Sequence, residues 1–393
     1  MFKYLFKKDT IFATLSVFLV MGLLSFIPLN THVLDPLKLA LQDFDYNDMA
    51  YSRLGKNNDI PIDTSIVVVN IEDADRLAIA NMIKKVSACS PKVIGVDVLF
   101  NEKKDSVADS MLRTAFAADP KIVMAYNLQE VDHHLSHDGY FFEQAKNKGF
   151  VNFVGEEGGV NRSVQSVLQD HDNKYLPFAA TIVKIVDTAR FQQFINRNKE
   201  LETINYSRNA DKYIVIDGHS LFTNKVDTSV LLNKIVLLGY VSKSDQDVQD
   251  KHFTPLNTRF IGKSIPDLNG VFIHANIINM LQEGSYIKQS PKWLNWVIAL
   301  VLCWLHMAFF IKYFLDKHIW FHLAAKVAQL LSAIFFVYLG LRLFYGSNMQ
   351  INMTITLTAI VVAVDVLYLY EALCKWLYKK YRYESLFSLT SHH

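Results

Sequence analysis

Cysteine and net charge are both scarce in this chain of 393 residues, and each scarcity excludes a class of protein. There are three cysteines, and only Cys89 lies in the globular middle of the chain, so no disulfide framework is available there. The formal net charge of +2 gives no reason to expect a nucleic-acid partner. No serine, cysteine, histidine or carboxylate grouping has the spacing of a catalytic or metal site. We therefore expect no enzyme activity, no catalytic residue, no cofactor and no metal.

Apolar residues, in contrast, make up 51% of the chain and are concentrated in four long segments. Each segment has roughly the 20 residues that a helix needs to cross a bilayer. Residues 30–291 between the first and second segments have the composition of an ordinary globular domain. The predicted transmembrane helices cover residues 10–29, 293–314, 319–345 and 352–373, which leaves 1–9 and 374–393 as terminal segments.

Basic residues beside these segments predict the topology. The first apolar segment follows Lys3, Lys7 and Lys8 and has no small-residue cleavage site after it, which indicates a retained anchor. Lysine also flanks the turn between the second and third segments and follows the fourth. We therefore expect a multi-pass protein of the bacterial inner membrane, surrounded by lipid, with both termini cytoplasmic and residues 30–291 periplasmic. The other flanking basic residues are Lys312, Lys317, Lys375, Lys379, Lys380 and Arg382.

The globular middle alternates β-branched runs with helical apolar stripes, which predicts an α/β fold with a largely parallel sheet. Strands are expected at 65–71, 93–99, 122–126, 150–154, 213–216 and 234–241. Helices are expected around residues 79–86, 107–115, 177–195 and 271–281. Residues 155–159 predict a turn rather than a phosphate-binding loop, because no Lys-Ser/Thr pair follows. The strand order does not follow from the sequence.

Three stretches resemble the CHASE2 domain, an extracytoplasmic sensory module of bacterial membrane receptors. The first stretch is 42–50, the second is Lys92-Val-Ile-Gly-Val-Asp-Val-Leu-Phe100, and the third combines 235–240, Asp250-Lys-His-Phe-Thr-Pro255 and Gly270-Val-Phe-Ile-His-Ala-Asn276. The order of one helix, a domain and three helices is also similar to that family, although the family's Trp-Pro-Trp segment is absent. The resemblance implies a sensory role. Family members generally carry an output domain after the last membrane helix, and the roughly twenty residues after 373 are too few for one. We therefore expect a separate protein partner.

Polar residues at the predicted carboxyl ends of the strands are the candidate ligand site. They could bind a cation or a cationic small molecule. The alternative is that the same residues only order loops, with Thr254-Pro255 as a turn. His274 lies on an apolar helix face, which favours a core histidine over a ligand contact. The candidate residues are Glu72, Asp97, Asp250, His252 and Thr254.

Three ionisable residues inside the membrane segments form a second candidate site. His306, Lys326 and Asp365 all lie about 9 to 12 Å from the inner ends of their helices. Such residues are costly in lipid and suggest function. We expect one polar cluster with Lys326 and Asp365 as its pair and His306 as a possible third member. Its role is helix packing, docking of a partner's membrane helix, or signal relay or proton movement.

Two functions remain open. The first is a sensory receptor that binds a ligand or an envelope partner outside and relays the event through its helices. The second is a structural subunit, or scaffold, of a multiprotein envelope complex that senses nothing. A homo-oligomer is possible in either case. A receptor should have a crevice at the strand ends, whereas a scaffold should have a filled crevice or none.

Overall fold

The computed structural model describes residues 2–26, 47–55, 59–131, 134–154, 159–171, 173–223, 226–244, 246–258, 265–316 and 320–388. The chain divides into two compact units. Residues Gln42–Ile287 form the α/β unit, and Met1–Leu41 with Lys288–His393 form the helical unit. Most of the predicted 42–50 stretch and of the turn at 155–159 lies outside the described residues.

A six-stranded sheet with every neighbouring pair parallel forms the centre of the α/β unit. Its spatial order is β5-β1-β6-β2-β3-β4, so β6 lies between β1 and β2. The predicted α/β fold with a parallel sheet is confirmed. In chain order the strands are β1 (Asp63–Asn70), β2 (Val93–Val96), β3 (Ile122–Tyr126), β4 (Asn147–Phe150), β5 (Tyr213–Asp217) and β6 (Ile235–Gly239).

Helices cover both faces of this sheet, which explains the continuous apolar strands. The main helices of the chain are α1 (Lys8–Ser25), α2 (Arg76–Ala88), α3 (Ser106–Ala118), α4 (Phe178–Val186), α5 (Thr188–Asn196), α6 (Gly270–Glu283), α7 (Lys292–Leu315), α8 (Phe321–Ser347) and α9 (Thr354–Tyr381). Short helices or turns of helix occupy Phe2–Leu5, Asp48–Ser52, Ala210–Lys212, Gly218–Leu221 and Thr228–Leu231.

Alternation along the strands assigns each helix to a face. Ile94 and Val96 of β2 belong to the same apolar core as Ile83 of α2 and Leu112 of α3. Gly95 points the other way, because a Cβ atom there would lie 2.7 Å from Ile182 of α4. Gly239 of β6 points to the same face of the sheet as Gly95, and a Cβ atom there would lie 2.8 Å from Val271 of α6. Helices α2 and α3 therefore cover one face, and α4 and α6 cover the other.

Side-chain caps and one close backbone contact fix where these helices begin. Asp75 accepts a hydrogen bond from the Ala78 N–H at the start of α2, and Asp105 caps α3 in the same way. At Gly149 of β4 a Cβ atom would lie 2.4 Å from the Cα of Phe178, so α4 can pack there only against glycine.

Two elements differ from the sequence prediction. The helix expected at 177–195 is two helices, because Asp187 ends α4 and caps α5 by accepting from the Arg190 N–H. The strand expected at 150–154 lies at 147–150 instead, and the chain leaves the sheet after Phe150. Short two-stranded pairs fill the rest of the α/β unit at Leu128–Val131 with His134–His137, Leu168–Asp170 with Asn173–Tyr175, Ser163–Gln165 with Leu201–Thr203, and Lys251–His252 with Leu268–Asn269.

The helical unit contains four helices among the described residues that are long and apolar enough to cross a membrane: α1, α7, α8 and α9. This confirms the all-α membrane part of the predicted fold. A core that includes Val17, Met307 and Ala363 joins α1, α7 and α9. Within the unit, Gln329 of α8 donates hydrogen bonds to the Ile360 and Val361 carbonyl oxygens of α9. A short parallel pair, Lys288–Gln289 with Met349–Gln350, also belongs to this unit.

Candidate functional site

A cavity of about 920 Å³ lies at the carboxyl edge of the sheet. The residues immediately after five of the six strands line it, which is where parallel sheets generally bind ligands. Its volume is within the range of small-molecule sites. The five lining residues that directly follow strands are Ile71 after β1, Asp97 after β2, Asn127 after β3, Val151 after β4 and Tyr240 after β6.

Asp97 supplies the most deeply placed carboxyl group of this cavity. Its backbone N–H donates to the Leu238 carbonyl oxygen at 2.8 Å, so the sheet edge holds the residue in place. Its side chain is only 14% exposed. Burial, together with the nearby negative charge of Asp250, raises the pKa of the Asp97 carboxyl to about 8. The group is therefore largely protonated near pH 7.

His274 faces Asp97 from helix α6. Its Nε2 lies 4.0 Å from Asp97 Oδ1, and its ring stacks on Phe153 with centroids 5.1 Å apart. Burial, and then the charge of His252, lower the pKa of the His274 imidazole to about 3. Its Nδ1 is buried and has no hydrogen-bond partner among the described residues. The ring is therefore neutral, and this buried nitrogen is unpaired among the described residues.

Asp250 and His252 form a second polar pair that is more exposed than the first. His252 Nε2 lies 3.9 Å from Asp250 Oδ1, and the two side chains are 33% and 42% exposed. Asp250 has φ +53°, a conformation that is uncommon for a residue other than glycine, and its carbonyl oxygen accepts the N–H of Gly270 at the start of α6. Phe153 also meets the His252 ring edge-to-face at 4.7 Å. One aromatic ring thus contacts both imidazoles of the cavity.

Comparison with known protein families decides which group this architecture belongs to. The model of the CHASE2 domain matches residues 15–311, which is well over half of the chain. The chain belongs to the CHASE2 family. A sensory role in general follows from this membership, because CHASE2 is an extracytoplasmic sensory domain. Comparisons with curated proteins and with solved structures found no match.

Asp97, Asp250 and His252 are the predicted site residues that the CHASE2 domain brings together in the cavity. Glu72 and Thr254 do not line it. The Glu72 carboxylate lies 3.4 Å from Lys243 Nζ, and the Glu72 N–H donates to the Asn70 side chain, which turns the residue away.

Thr254 orders a loop of the CHASE2 domain instead of lining its cavity. Its N–H donates to Asp267 Oδ1 at 2.8 Å and its hydroxyl donates to Asp267 Oδ2, which agrees with the alternative in which this stretch is a turn. His274 is buried in the core as expected, but it also lines the cavity and its Nδ1 atom has no partner among the described residues. Phe153 was missed because its segment was expected to be a strand.

The membrane residues of this CHASE2 protein form a pair rather than a cluster of three. Lys326 Nζ lies 3.9 Å from Asp365 Oδ2, and the two side chains are 57% and 70% exposed on the helical unit. His306 lies elsewhere: its Nδ1 is 2.8 Å from the Leu302 carbonyl oxygen and its Nε2 is 2.9 Å from Ser332 Oγ. The ion pair therefore faces outward from the helices instead of fixing their interior.

Proposed function

We propose that this chain is a receptor that binds a small molecule in the cavity of its CHASE2 domain and passes the event through its membrane helices to a separate protein. The observation that carries the proposal is the cavity at the strand ends with Asp97 and His274 buried side by side. A filled crevice, or none, was the expectation for a scaffold. The cavity therefore favours the receptor.

The polar groups of the cavity indicate the chemistry of the ligand. A buried polar atom without a hydrogen bond costs about 1 to 3 kcal/mol, and the Nδ1 atom of His274 is such an atom. A ligand whose binding uncovers this buried atom and hydrogen-bonds to it would remove this cost. A cationic group beside Asp97 would favour the ionised carboxylate that burial now disfavours. The ligand we propose is a small organic cation with an apolar part that can stack on Phe153.

Binding rather than catalysis is the role we infer for this cavity. Among the described residues that line it, none is a serine, threonine or cysteine. Asp97 and His274 are 4.0 Å apart, and both are neutral near pH 7 by the directions of their pKa shifts. A hydrolytic mechanism would need a nucleophile together with a base that could activate it.

Helix α6 offers a covalent route from the cavity to the membrane. It carries His274, it is buried along nearly its whole length, and only residues 284–291 separate its end from the membrane helix α7. A ligand that favours one position of α6 can bias the helical unit only if that unit has two packings of different energy. The outward-facing pair of Lys326 and Asp365 is the surface we propose for the partner's membrane helix.

The location we propose is the bacterial inner membrane, with the CHASE2 domain in the periplasm and both termini in the cytoplasm. The support is the distribution of lysine and arginine around the four apolar helices.

Ligand-induced stabilisation of the full-length chain tests the receptor. The purified protein in detergent is melted in the presence of a panel of small organic amines, each with a matched carboxylate of the same carbon skeleton. We expect a subset of the amines to raise the melting temperature. Asp97→Asn and His274→Asn should abolish the shift, and Glu72→Ala should keep it. Equal shifts with the carboxylates, or shifts that survive both cavity substitutions, would contradict the proposal.

Co-purification then separates the receptor from the scaffold. A scaffold should be recovered from native membranes with its partners in fixed stoichiometry whether or not an active amine is present. A receptor complex should change in composition or in cross-linking pattern when the amine is added, and the change should be lost in Asp97→Asn.

A further inference from the structure

We infer that His134, Asp170 and His171 form a binding site for a divalent first-row transition metal ion. The three side chains come from two hairpins that are far apart in sequence, and their candidate ligand atoms all lie within 4.8 Å of one another. His171 Nδ1 is 2.8 Å from Asp170 Oδ1, and His134 Nδ1 is 3.7 Å from the same oxygen. None of the three lines the cavity, so this site is separate from the proposed receptor site.

Two of the three ligand separations are close to those around a small tetrahedral ion. Metal–nitrogen and metal–oxygen bonds of about 2.0 to 2.1 Å in a tetrahedron place neighbouring ligand atoms about 3.3 Å apart. The distances of 2.8 and 3.7 Å lie on either side of that value, so shifts of about half an ångström would bring both nitrogen–oxygen distances to it. The two imidazole ligand atoms lie within 4.8 Å of each other. Three protein ligands leave further positions to water, as in zinc sites that are not fully closed by protein.

A backbone contact orients the carboxylate toward the two imidazoles. Asp170 Oδ2 accepts a hydrogen bond from the Leu135 N–H at 2.9 Å, so the other oxygen is the one that faces the rings. Such supporting contacts fix metal ligands in place and are typical of metal sites. The bond also joins the two hairpins, because Leu135 is in His134–His137 and Asp170 ends Leu168–Asp170. Asp170 is 19% exposed, whereas the two imidazoles are 61% and 72% exposed and accessible to an ion.

Imidazole and carboxylate together select the class of ion. Two nitrogen ligands and one oxygen ligand suit Zn²⁺, Ni²⁺, Cu²⁺ or Co²⁺, whereas Ca²⁺ and Mg²⁺ prefer oxygen alone. A bound ion would cross-link the two hairpins. Since Leu128, at the start of the hairpin that carries His134, lines the cavity, the ion would also stiffen one wall of the receptor site.

Zinc binding by the full-length chain tests the site. The purified protein, free of any affinity tag and held in a buffer that does not bind metal, is titrated with Zn²⁺ by calorimetry. We expect one equivalent to bind, and we expect His134→Ala, His171→Ala and Asp170→Asn each to weaken that binding by more than about tenfold. X-ray absorption of the zinc complex should show two imidazole ligands and oxygen. Hydrogen exchange should slow on Zn²⁺ addition in peptides that cover 128–137 and 168–175.

His219→Ala is the matched control, because it removes an exposed imidazole on Gly218–Leu221, away from both hairpins, and should leave zinc affinity unchanged. The metal-free melting temperature of each variant checks that folding is intact. The inference is overturned if the unmodified chain binds no stoichiometric Zn²⁺. It is equally overturned if the His134→Ala/His171→Ala double variant binds Zn²⁺ as tightly as the unmodified chain.

Discussion

The α/β unit and the helical unit both hold ionisable side chains in costly surroundings, but the surroundings are of opposite kinds. In the α/β unit, Asp97 and His274 are 14% and 6% exposed and have few polar partners. In the helical unit, Lys326 and Asp365 contact each other and are mostly exposed. Burial is the cost in a domain bathed in water, whereas exposure is the cost for helices bathed in lipid. The ionisable groups in costly surroundings therefore mark a cavity in the α/β unit and an outer surface in the helical unit.

The interior of the helical unit makes the contrast sharper. Several of its buried polar groups are hydrogen-bonded: Asp9 accepts hydrogen bonds from the Tyr370 hydroxyl and the Leu386 N–H, and Gln329 donates to two carbonyl oxygens of α9. Trp304 similarly donates to the Leu5 carbonyl oxygen. The buried hydroxyl of Thr356 has no partner among the described residues. Most internal polar groups there are used in packing, whereas the outward pair lies on a surface that a partner can reach.

Reversing one charge of the membrane pair should have the largest effect of the changes we consider. Lys326→Asp would place two carboxylates side by side in lipid, and a charged residue at such a depth costs about 3 kcal/mol when unpaired. We expect the complex recovered from native membranes to fall by more than about tenfold, whether its second member is another chain or a second copy. Native mass spectrometry of the recovered complex measures this.

The double variant Lys326→Asp/Asp365→Lys restores opposite charges and should recover much of the complex. Arg342→Leu, which removes an exposed cation near the C-terminal end of α8, is the control and should change little. If the complex with Lys326→Asp alone were recovered in full, the Lys326–Asp365 pair would not be the docking surface.

Asp97→Asn should change how stability depends on pH. The pKa of Asp97 rises from 3.8 in the unfolded chain to about 8 in the folded protein, so the folded state holds the extra proton between these values. The stabilisation that this proton gives the folded state is complete below pH 3.8 and is lost as the pH rises through 8. Between pH 6.5 and 8 the unmodified protein should lose about 1 to 2 kcal/mol relative to Asp97→Asn.

His274 has the opposite sign and a different window. Its pKa falls from 6.5 to about 3 on folding, so its contribution is present above pH 6.5 and is lost as the pH falls. Between pH 4 and 6.5 the two slopes largely cancel in the unmodified protein. The Asp97→Asn variant should therefore lose stability as the pH falls through this range. The double variant Asp97→Asn/His274→Asn should not. Melting curves of the full-length protein and variants across pH 4 to 8 measure both windows, and identical curves for all would contradict the assigned pKa directions.

The sequence predicted the local elements of the fold much better than their arrangement. Runs such as 66–69 and 122–126 are apolar without a break, and a strand covered on both faces must have that pattern. The position of β6 between β1 and β2 could not be predicted, because strand order depends on contacts between distant segments. The break at Asp187 was also missed, since α4 and α5 together resemble one amphipathic helix.

The sequence could predict which edge of the sheet holds the candidate site, but not which side chains point into it. Asp97 lies in the cavity because strand ends of a parallel sheet meet at one edge. Glu72 also follows a strand, but its φ of +50° and its contact with Asn70 turn it aside. His274 was taken as a core residue because helical spacing shows which face is apolar and not whether a cavity lies over it. His306 shares the depth of Lys326, but depth says nothing about which side of a helix a residue faces.

Gln329→Leu separates the interior of the helical unit from its outward pair. The side chain is buried and donates to the Ile360 and Val361 carbonyl oxygens, and such bonds between membrane helices contribute about 1 kcal/mol. We expect the free energy of unfolding in detergent and denaturant to fall by about that amount, while the amount of complex recovered from membranes stays unchanged. Loss of the partner in Gln329→Leu would mean that packing, and not the exposed charges, determines docking.

Glu72→Ala should have the smallest effect, and it tests the comparison from the side of the α/β unit. Glu72 follows a strand as Asp97 does, but its carboxylate is 32% exposed and lies against Lys243, which is 64% exposed. An ion pair this accessible to water contributes less than about 1 kcal/mol, so stability should change within about 0.5 kcal/mol. Amines that stabilise the unmodified protein should stabilise Glu72→Ala by the same number of degrees. If Glu72→Ala lost that shift while Asp97→Asn kept it, the more exposed carboxylate and not the buried one would decide ligand binding.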